Sequence, residues 1–392
     1  MINKFNVNKT RQLNKINTIL SLFYHKPKIK RTIELDEVRN ILIVDFALMG
    51  DMIMDIPFIK NIRVNCPNAR ITMICLNWGE KILGSQHLVD EFIIFDGKNI
   101  LSGPEQIFQN IFKIIHVLDQ INAKRYEIGF EPKGDLRHTL FLHYTRCERT
   151  ITYNYTGGEY LVTDSFTPKA ETKHLIQEKL DILEMSGFKI FEDLTVPELR
   201  LSKSSVIFCN KFIEENNLSD KYIIGIHPGA SNRNKQYRYY PQLVRKIVQG
   251  IGNISRYCFV VYEGPGEKEI VQDVVNELQK SEVQFLVVKR SIEEYIALVS
   301  ICDYMICNDS AAGHIAAAYN IPVLIIFGPI CSETAIPWSR NRIEYISHEL
   351  DCKPCTLPAC PLKNKREFCI TRISVEEVYQ KWENLFDKCL IK

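Results

Sequence analysis

The sequence predicts an α/β protein made of two Rossmann-like open-sheet domains that face each other across a cleft. The chain has 392 residues, which suits two domains of about 150 to 200 residues better than one core. Short apolar runs typical of buried parallel strands alternate with helical segments in both halves. Most of these runs end in turns of small and polar residues, where an open parallel sheet binds its ligands.

The domain boundaries follow from changes in this pattern. Residues 1–38 form a basic N-terminal extension, and the first strand pattern begins directly after it. The alternation loosens around residues 192–220, so we place the first domain at 39–215 and the second at 216–392. The second domain then includes a Cys-rich segment at 352–369 and a terminal helix.

The composition is that of a globular protein, with 46% hydrophobic and 24% charged residues. A formal net charge of +2 gives no reason to expect a nucleic-acid partner. No apolar run approaches the length of a bilayer span and the N-terminus lacks a signal-peptide pattern, so we expect a cytoplasmic protein. Thirteen cysteines, an odd number mostly inside apolar runs, are typical of reduced thiols.

The N-terminal extension is rich in Lys, Arg and Asn and carries apolar residues at near-helical spacing. A basic amphipathic helix of this kind can lie on an anionic membrane surface, here the cytoplasmic face of the inner membrane. The alternative is a solvated extension packed on its own domain or on a second subunit, and the oligomeric state stays open. The apolar positions are Leu13, Ile16, Ile19, Leu20 and Phe23.

In the first domain, residues 40–45 predict a buried strand that runs into a turn and an apolar helix. Asp51 lies in that turn, which suits either a catalytic carboxylate or a helix N-cap. Further strands are predicted at 69–75, 91–96 and 126–130, with a helix around 104–122. The polar residues that follow the last of these strands indicate either a pocket for an anionic substrate or a solvated surface. They are Asp135, Arg137, His138, Arg146, Arg149, Lys173 and His174.

The second domain restarts with a strand at 222–226, followed by a small-residue turn and a basic tail over 227–235. This resembles a phosphate-facing loop in which Lys235 or Arg233 neutralises charge. Strands at 258–262 and 284–288 and a helix at 292–300 lead to a further strand at 304–307.

The stretch from residue 307 to 318 combines a turn of small residues with an Ala-rich helix, and the next strand stops at Gly328-Pro329. Its small side chains allow a phosphate to approach the backbone N–H groups at the helix start. The alternative is that they only permit tight packing of the helix on the sheet.

Five groups of residues form a set of motifs along the chain: Ile41-Leu42-Ile43-Val44 with Met49-Gly50-Asp51, Gly225-Ile226-His227-Pro228-Gly229-Ala230-Ser231, Gly264-Pro265-Gly266-Glu267, Asn308-Asp309-Ser310 with Gly313-His314, and Phe327-Gly328-Pro329. In this order and spacing, the motifs taken together resemble glycosyltransferase family 9, the heptosyltransferase family. The resemblance implies a GT-B fold in which the N-terminal domain binds the acceptor and the C-terminal domain binds a nucleotide sugar.

The same resemblance implies roles for individual residues. Asp51 matches the family's general base, and Lys235, or alternatively Arg233, matches its diphosphate-binding cation. Contacts to the donor are expected from His227, Gly229, Ser231, Arg233, Gly264, Glu267, Arg290, Asp309, Ser310, Ala311, Gly313 and His314, and contacts to the acceptor from Gly50, Asp135 and Arg137. The chain departs from the family at Ala311-Ala312, where Gly-Pro is common, and at Lys235-Gln236-Tyr237-Arg238, where Lys-x-Trp-Pro is usual.

The expected reaction is inverting transfer of a sugar, heptose from ADP-heptose, to a lipopolysaccharide core or a related glycan or lipid-linked acceptor. The alternative is a protein O-heptosyltransferase or a non-catalytic nucleotide-sugar-binding member of the family. The sequence lacks an Asp-x-Asp metal motif, so we expect no cofactor to be required for catalysis.

Four cysteines near the C-terminus are clustered as Cys352-x2-Cys355-x4-Cys360-x8-Cys369. Thiolates at such spacing favour tetrahedral Zn or Fe, against the alternatives of reduced bystanders or labile disulfides. Similar Cys-x-Pro-Cys tails occur in relatives of the family, which implies a structural site remote from catalysis.

Overall fold

The computed structural model describes residues 7–25, 33–95, 104–168, 173–355, 357, 359–362 and 367–389. The chain forms two compact units, residues 1–195 and 196–392. The predicted boundary at 215/216 lies too late, because the helix Lys203–Glu215 belongs to the second unit. Its Cys209 thiol donates a hydrogen bond of 3.2 Å to the carbonyl of Ala297, which fixes the helix there.

The first unit is built on a parallel six-stranded sheet in the order β3-β2-β1-β4-β5-β6. Its strands are β1 Asn40–Val44, β2 Arg70–Cys75, β3 Glu91–Ile94, β4 Tyr126–Glu131, β5 Cys147–Tyr153 and β6 Asp164–Phe166. Its helices are α1 Val7–Leu20, α2 Met49–Ile53, α3 Ile56–Asn65, α4 Asn77–Leu83, α5 Pro104–Gln109, α6 Ile111–Asn122, α7 Leu136–His143 and α8 Leu175–Met185. The predicted helix around 104–122 is thus two helices.

The second unit repeats the architecture, with a parallel sheet in the order β12-β11-β10-β7-β8-β9. Its strands are β7 Tyr222–His227, β8 Tyr257–Tyr262, β9 Gln284–Val288, β10 Tyr304–Asn308, β11 Val323–Ile326 and β12 Ile343–Ile346. Its helices are α9 Lys203–Glu215, α10 Tyr240–Gly250, α11 Lys268–Leu278, α12 Ile292–Val299, α13 Ala311–Ala318, α14 Ser332–Ala335, α15 Phe368–Thr371 and α16 Val375–Cys389.

Burial explains why the central strands read as continuous apolar runs. All five residues of β10 and all six of β8 are buried, because helices cover both faces of a parallel sheet. The predicted terminal helix is α16, whose Trp382 is buried and stacks on Phe386 with ring centroids 5.1 Å apart. Among the described helices, none is long and apolar enough to cross a membrane.

The strand order fixes where each unit can bind a ligand. In both sheets the connections run one way from the first strand and the other way from the fourth, so that the first and fourth strands lie side by side. A crevice forms beyond the carboxyl ends of two such strands, and it is the usual ligand site of open α/β sheets. The crevice lies after β1 and β4 in the first unit, and after β7 and β10 in the second.

Candidate functional site

The crevice of the second unit is organised by the buried amide of Asn308, the last residue of β10. The Asn308 Nδ2 donates to the carbonyls of Pro228 at 2.7 Å and Gly229 at 3.2 Å. Its Oδ1 accepts from the backbone N–H of Tyr237 at 3.2 Å. The side chain therefore holds both ends of the loop that follows β7.

A lysine–carboxylate pair joins the loops after β7 and β10. The Lys235 Nζ lies 2.6 Å from Asp309 Oδ2, and both side chains are largely buried. Arg233, the alternative cation, lies on the same short 3-10 turn, but its side chain is exposed. Of the two predicted cations, Lys235 is the one that the fold brings to Asp309.

The carboxylate of Glu267 is fixed beside the end of β7. Its Oε2 lies 3.1 Å from His227 Nε2 and accepts the N–H of Gly264 at 2.8 Å, while His227 Nδ1 lies 2.7 Å from the Tyr295 hydroxyl. Burial would raise the pKa of Glu267, but the hydrogen bonds from His227 and Gly264 outweigh it and lower the pKa. A Cβ at Gly229 would lie 1.9 Å from the Glu267 carboxyl carbon, so a side chain at this position would displace the carboxylate.

The start of α13 presents the buried hydroxyl group of Ser310. Ser310 is the N-cap residue, its side chain makes no capping bond, and its buried Oγ has no hydrogen-bond partner within the described chain. The first N–H groups of α13 are orphan donors at the positive end of the helix dipole. Ala311 at this turn is half-buried, so little side-chain bulk covers those groups.

Gly313 and His314, one turn further along α13, fit the packing alternative instead. A Cβ at Gly313 would meet Ile325 Cδ1 at 3.1 Å and Cys307 Sγ at 3.2 Å, which means that the helix lies directly on the sheet. His314 is buried in the same helix. Two other predicted donor residues, Ser231 and Arg290, are exposed on the loops after β7 and β9.

In the first unit, Asp51 lies in the first turn of α2. The N-cap of this helix is Leu48, so the alternative that Asp51 caps the helix is wrong. The Asp51 Oδ2 lies 3.1 Å from the Nζ of Lys133, which follows β4, and about a quarter of each side chain is exposed. Gly50 is half-buried in the same helical turn.

The polar cluster after β4 is divided among local contacts. Asp135 caps α7 by accepting the Arg137 N–H at 3.1 Å, and it also binds the Arg137 guanidinium through Nε at 2.8 Å. Arg149 pairs with Asp164, Lys173 pairs with Asp181, and His174 caps α8, whereas Arg146 is exposed. These contacts tie most of the cluster into the local structure, and Asp135, His138 and His174 are buried, so they do not form a solvated surface.

The clustered cysteines differ in exposure: Cys352 is exposed, Cys355 and Cys360 are half-buried, and Cys369 is buried. Burial and the nearby Cys352 and Cys360 raise the pKa of Cys369 to about 11. Among the described residues, no three His, Cys, Asp or Glu side chains are placed to hold a metal ion. The predicted Zn or Fe site stays a prediction.

Some residues of these sites were absent from the predicted set. Tyr295 and Asn234 lie far along the chain from their partners; Asn234 is buried and donates to the carbonyl of Leu357 at 2.9 Å. No local pattern marks such long-range contacts. Asn308 does stand next to the predicted Asp309, and a polar residue ending a fully apolar strand is a usable signal.

A sequence profile described as "Glycosyltransferase family 9 (heptosyltransferase)" matches residues 114–366, which is more than half of the chain. The lipooligosaccharide heptosyltransferase 2 of Campylobacter jejuni serotype O:2 is 28% identical over 221 residues. That alignment covers 55% of this chain and 65% of the relative, which is slightly less than two thirds of the relative's length.

Two solved structures share the fold. The Escherichia coli ADP-heptose lipopolysaccharide heptosyltransferase II has a TM-score of 0.68 at 17% identity, covering 89% of this chain and 99% of that one. The iron-containing dodecameric glycosyltransferase TibC from enterotoxigenic E. coli has a TM-score of 0.53 at 12% identity, covering 91% and 78% respectively. The chain belongs to glycosyltransferase family 9 (heptosyltransferase), and the predicted α/β, GT-B fold class is confirmed.

Proposed function

We propose that this protein is an inverting glycosyltransferase that moves heptose from ADP-heptose onto a lipopolysaccharide core or a related glycan. The observation that carries the proposal is the second-unit crevice, where Lys235 and Asp309 lie at the start of α13 together with the Ser310 hydroxyl, which has no hydrogen-bond partner among the described residues. Such an arrangement of cation, hydroxyl and free N–H groups suits a diphosphate. The relatives described above are heptosyltransferases, which supports heptose as the transferred sugar.

On this proposal the donor occupies the second unit. The diphosphate meets Lys235, Ser310 and the N–H groups at Ala311, while Glu267, held by His227 and by the glycines Gly229 and Gly264, accepts hydrogen bonds from the ribose hydroxyls. Ser231, Arg233 and Arg290, which are exposed, complete the nucleotide site from its rim. Gly313 and His314 act indirectly, by setting how closely α13 lies on the sheet.

The acceptor lies in the first unit, with Asp51 as general base. The acceptor hydroxyl oxygen forms a bond to the anomeric carbon, its proton passes to Asp51, and the bond from that carbon to the diphosphate breaks. The electron pair of the broken bond leaves on ADP, whose added charge Lys235 and the start of α13 stabilise. Arg137, held in orientation by Asp135, and the backbone at Gly50 contact the acceptor. No step depends on a cofactor.

The N-terminal helix supports a peripheral position on the cytoplasmic face of the inner membrane. Leu13, Leu20 and Tyr24 pack into the first unit's core. On the outer face of α1 and the turn after it, Ile16, Ile19, Leu22 and Phe23 are exposed. Residues 1–33 carry eight Lys or Arg and no Asp or Glu, so the surrounding charge complements anionic lipid.

The proposal is tested by ligand-dependent thermal unfolding and by transfer assays. ADP-heptose should raise the melting temperature, whereas UDP- and GDP-sugars should not. Asp51→Asn should keep this stabilisation but lose turnover by about 10²- to 10⁴-fold, because only the proton acceptor is removed. Stabilisation by UDP- or GDP-sugars alone would contradict the choice of donor, and full turnover in the variant would contradict the assigned base.

A further inference from the structure

A row of alternating charges leads from Asp51 into the interior of the first unit. Lys133, which pairs with Asp51, also interacts electrostatically with the carboxylate of Asp45, the residue directly after β1. Asp45 Oδ2 lies 3.3 Å from Lys179 Nζ on α8, and Lys179 in turn contacts Asp55 at the N-cap of α3. From the surface inwards the order is therefore carboxylate, ammonium, carboxylate, ammonium, carboxyl.

The burial of this row of charges destabilises the folded state. Asp45 and Asp55 are 0% and 1% exposed, and Lys179 is 5% exposed. Asp45 Oδ1 and Asp55 Oδ2 are buried with no hydrogen-bond partner in the part of the chain described, and each such group costs about 1–3 kcal/mol. Because well-packed apolar residues often replace buried ion pairs without loss, stability alone does not explain the row.

The groups in the row hold one another in defined charge states. Burial would raise the pKa of Asp45, but Lys179 and Lys133 outweigh it and lower the pKa. Burial would lower the pKa of Lys133, but Asp51 and Asp45 outweigh it and raise the pKa. Burial and the Asp45 carboxylate raise the pKa of Asp55 well above its usual range. Asp45 and Lys133 are thus both charged at neutral pH.

We propose that Lys133 is a positioning residue for the transfer reaction: it orients the Asp51 carboxylate and keeps it ionised, and the Asp45–Lys179–Asp55 row holds Lys133 in place. This inference rests on the proposed function, in which Asp51 is the base. Without Lys133, Asp51 loses the ammonium group that lies 3.1 Å from its carboxylate, while the negative Asp45 remains. Its proton is then bound more tightly, and a smaller fraction of the enzyme can accept the proton of the acceptor hydroxyl.

The charged groups around Asp51 come from four elements besides its own helix. Lys133 follows β4, Asp45 follows β1, Lys179 lies on α8, and His138 on α7 acts on Asp45. Lys133 and Asp45 act on Asp51 in opposite directions. Substitutions at the two positions should therefore shift the pH dependence of catalysis with opposite signs.

The test is the pH profile of kcat/KM. In Lys133→Met the acid limb of the profile, where kcat/KM falls as the pH is lowered, should move to higher pH by about one unit or more. At a pH below this limb kcat/KM should therefore be about tenfold lower than in the wild type, and above the limb it should recover. Lys133→Arg should restore the wild-type profile, and the KM for the donor should stay unchanged. The matched control is Lys124→Met, which removes another lysine of this unit that is paired with a carboxylate, Glu91, and it should leave the profile unchanged.

A second variant keeps the inference testable if Lys133→Met does not fold. Asp45→Asn keeps the shape, removes the negative charge, and should move the acid limb to lower pH. Equal loss at every pH, or a raised acceptor KM with an unmoved acid limb, would show that Lys133 binds the acceptor and overturn the inference. An active Asp51→Asn enzyme would instead remove the proposed base itself, so the two failures are distinguishable.

Discussion

Gly229→Ala is the sharpest perturbation of the donor site, because it adds one methyl group next to Glu267. The new Cβ would stand 1.9 Å from the Glu267 carboxyl carbon. To reach an ordinary contact of about 3.5 Å, the carboxylate must retreat by about 1.6 Å. That movement is enough to break its hydrogen bonds to Gly264 N–H at 2.8 Å and to His227 at 3.1 Å.

The expected effect is a loss of donor affinity. A hydrogen bond to a charged group contributes about 1.5–3 kcal/mol, and part of this is regained when the displaced carboxylate meets water. A net loss of about 2 kcal/mol raises the donor Kd about thirty-fold. The assay is calorimetric titration with ADP-heptose, accompanied by kcat at saturating donor, which should change little because Glu267 takes no part in the proposed proton transfer.

Gly252→Ala is the matched control, since a Cβ there meets nothing within 4 Å. It should bind ADP-heptose like the wild type. Glu267→Gln, which keeps the volume and removes the charge, should weaken the donor to a similar degree as Gly229→Ala. If Gly229→Ala binds the donor with wild-type affinity while remaining folded, the reasoning that Glu267 must stay in place to hold the ribose is refuted.

Three further predictions concern other parts of the chain. Trp382→Ala removes a side chain that is 1% exposed and should destabilise the second unit by about 3–5 kcal/mol in urea unfolding, whereas Ile207→Ala, at a position 69% exposed, should change stability by less than about 0.5 kcal/mol. If the cysteine cluster binds Zn or Fe as predicted, elemental analysis of untagged protein should give about one metal ion per chain. The metal should be lost in Cys355→Ser and kept in the control Cys331→Ser, and wild-type protein without stoichiometric metal would contradict the predicted site. Flotation with vesicles of phosphatidylethanolamine and phosphatidylglycerol should recover the wild type but not Phe23→Asp, and Phe112→Asp, at another exposed position, should float like the wild type. If Phe23→Asp instead breaks a dimer and the wild type does not bind vesicles, the outer face of α1 contacts a second subunit.

The central strands could be predicted from the sequence because they are buried on both faces. β1, β7 and β10 stand out as continuous apolar runs that end in polar turns. β5 and β6 do not stand out as apolar runs, because the first three residues of β5 and all of β6 are only half-buried. These positions include Arg149 and Asp164, which pair with each other. The sequence therefore leaves open whether Arg149 belongs to a pocket or to a solvated surface, because a sequence does not show which residues pair across strands.

The candidate site was predictable to a similar extent. The turns after β1, β7 and β10 carry Asp51, Lys235 and Asp309, and their positions follow from strand ends alone. The partners that fix these residues come from distant segments: Lys133 is 82 positions from Asp51, and Lys235 is 74 positions from Asp309. Only the sheet order brings such pairs together, and local patterns do not encode it.

The repeated strand order has one more consequence. In each unit a lysine–aspartate pair joins the segment that follows the first strand to the segment that follows the fourth: Asp51 with Lys133, and Lys235 with Asp309. If the donor binds as proposed, its phosphate would replace Asp309 as the anionic partner of Lys235. The site would then select a ligand by the arrangement of its oxygen atoms more than by its total charge. It would bind simple anions less readily than a lysine without a carboxylate partner does.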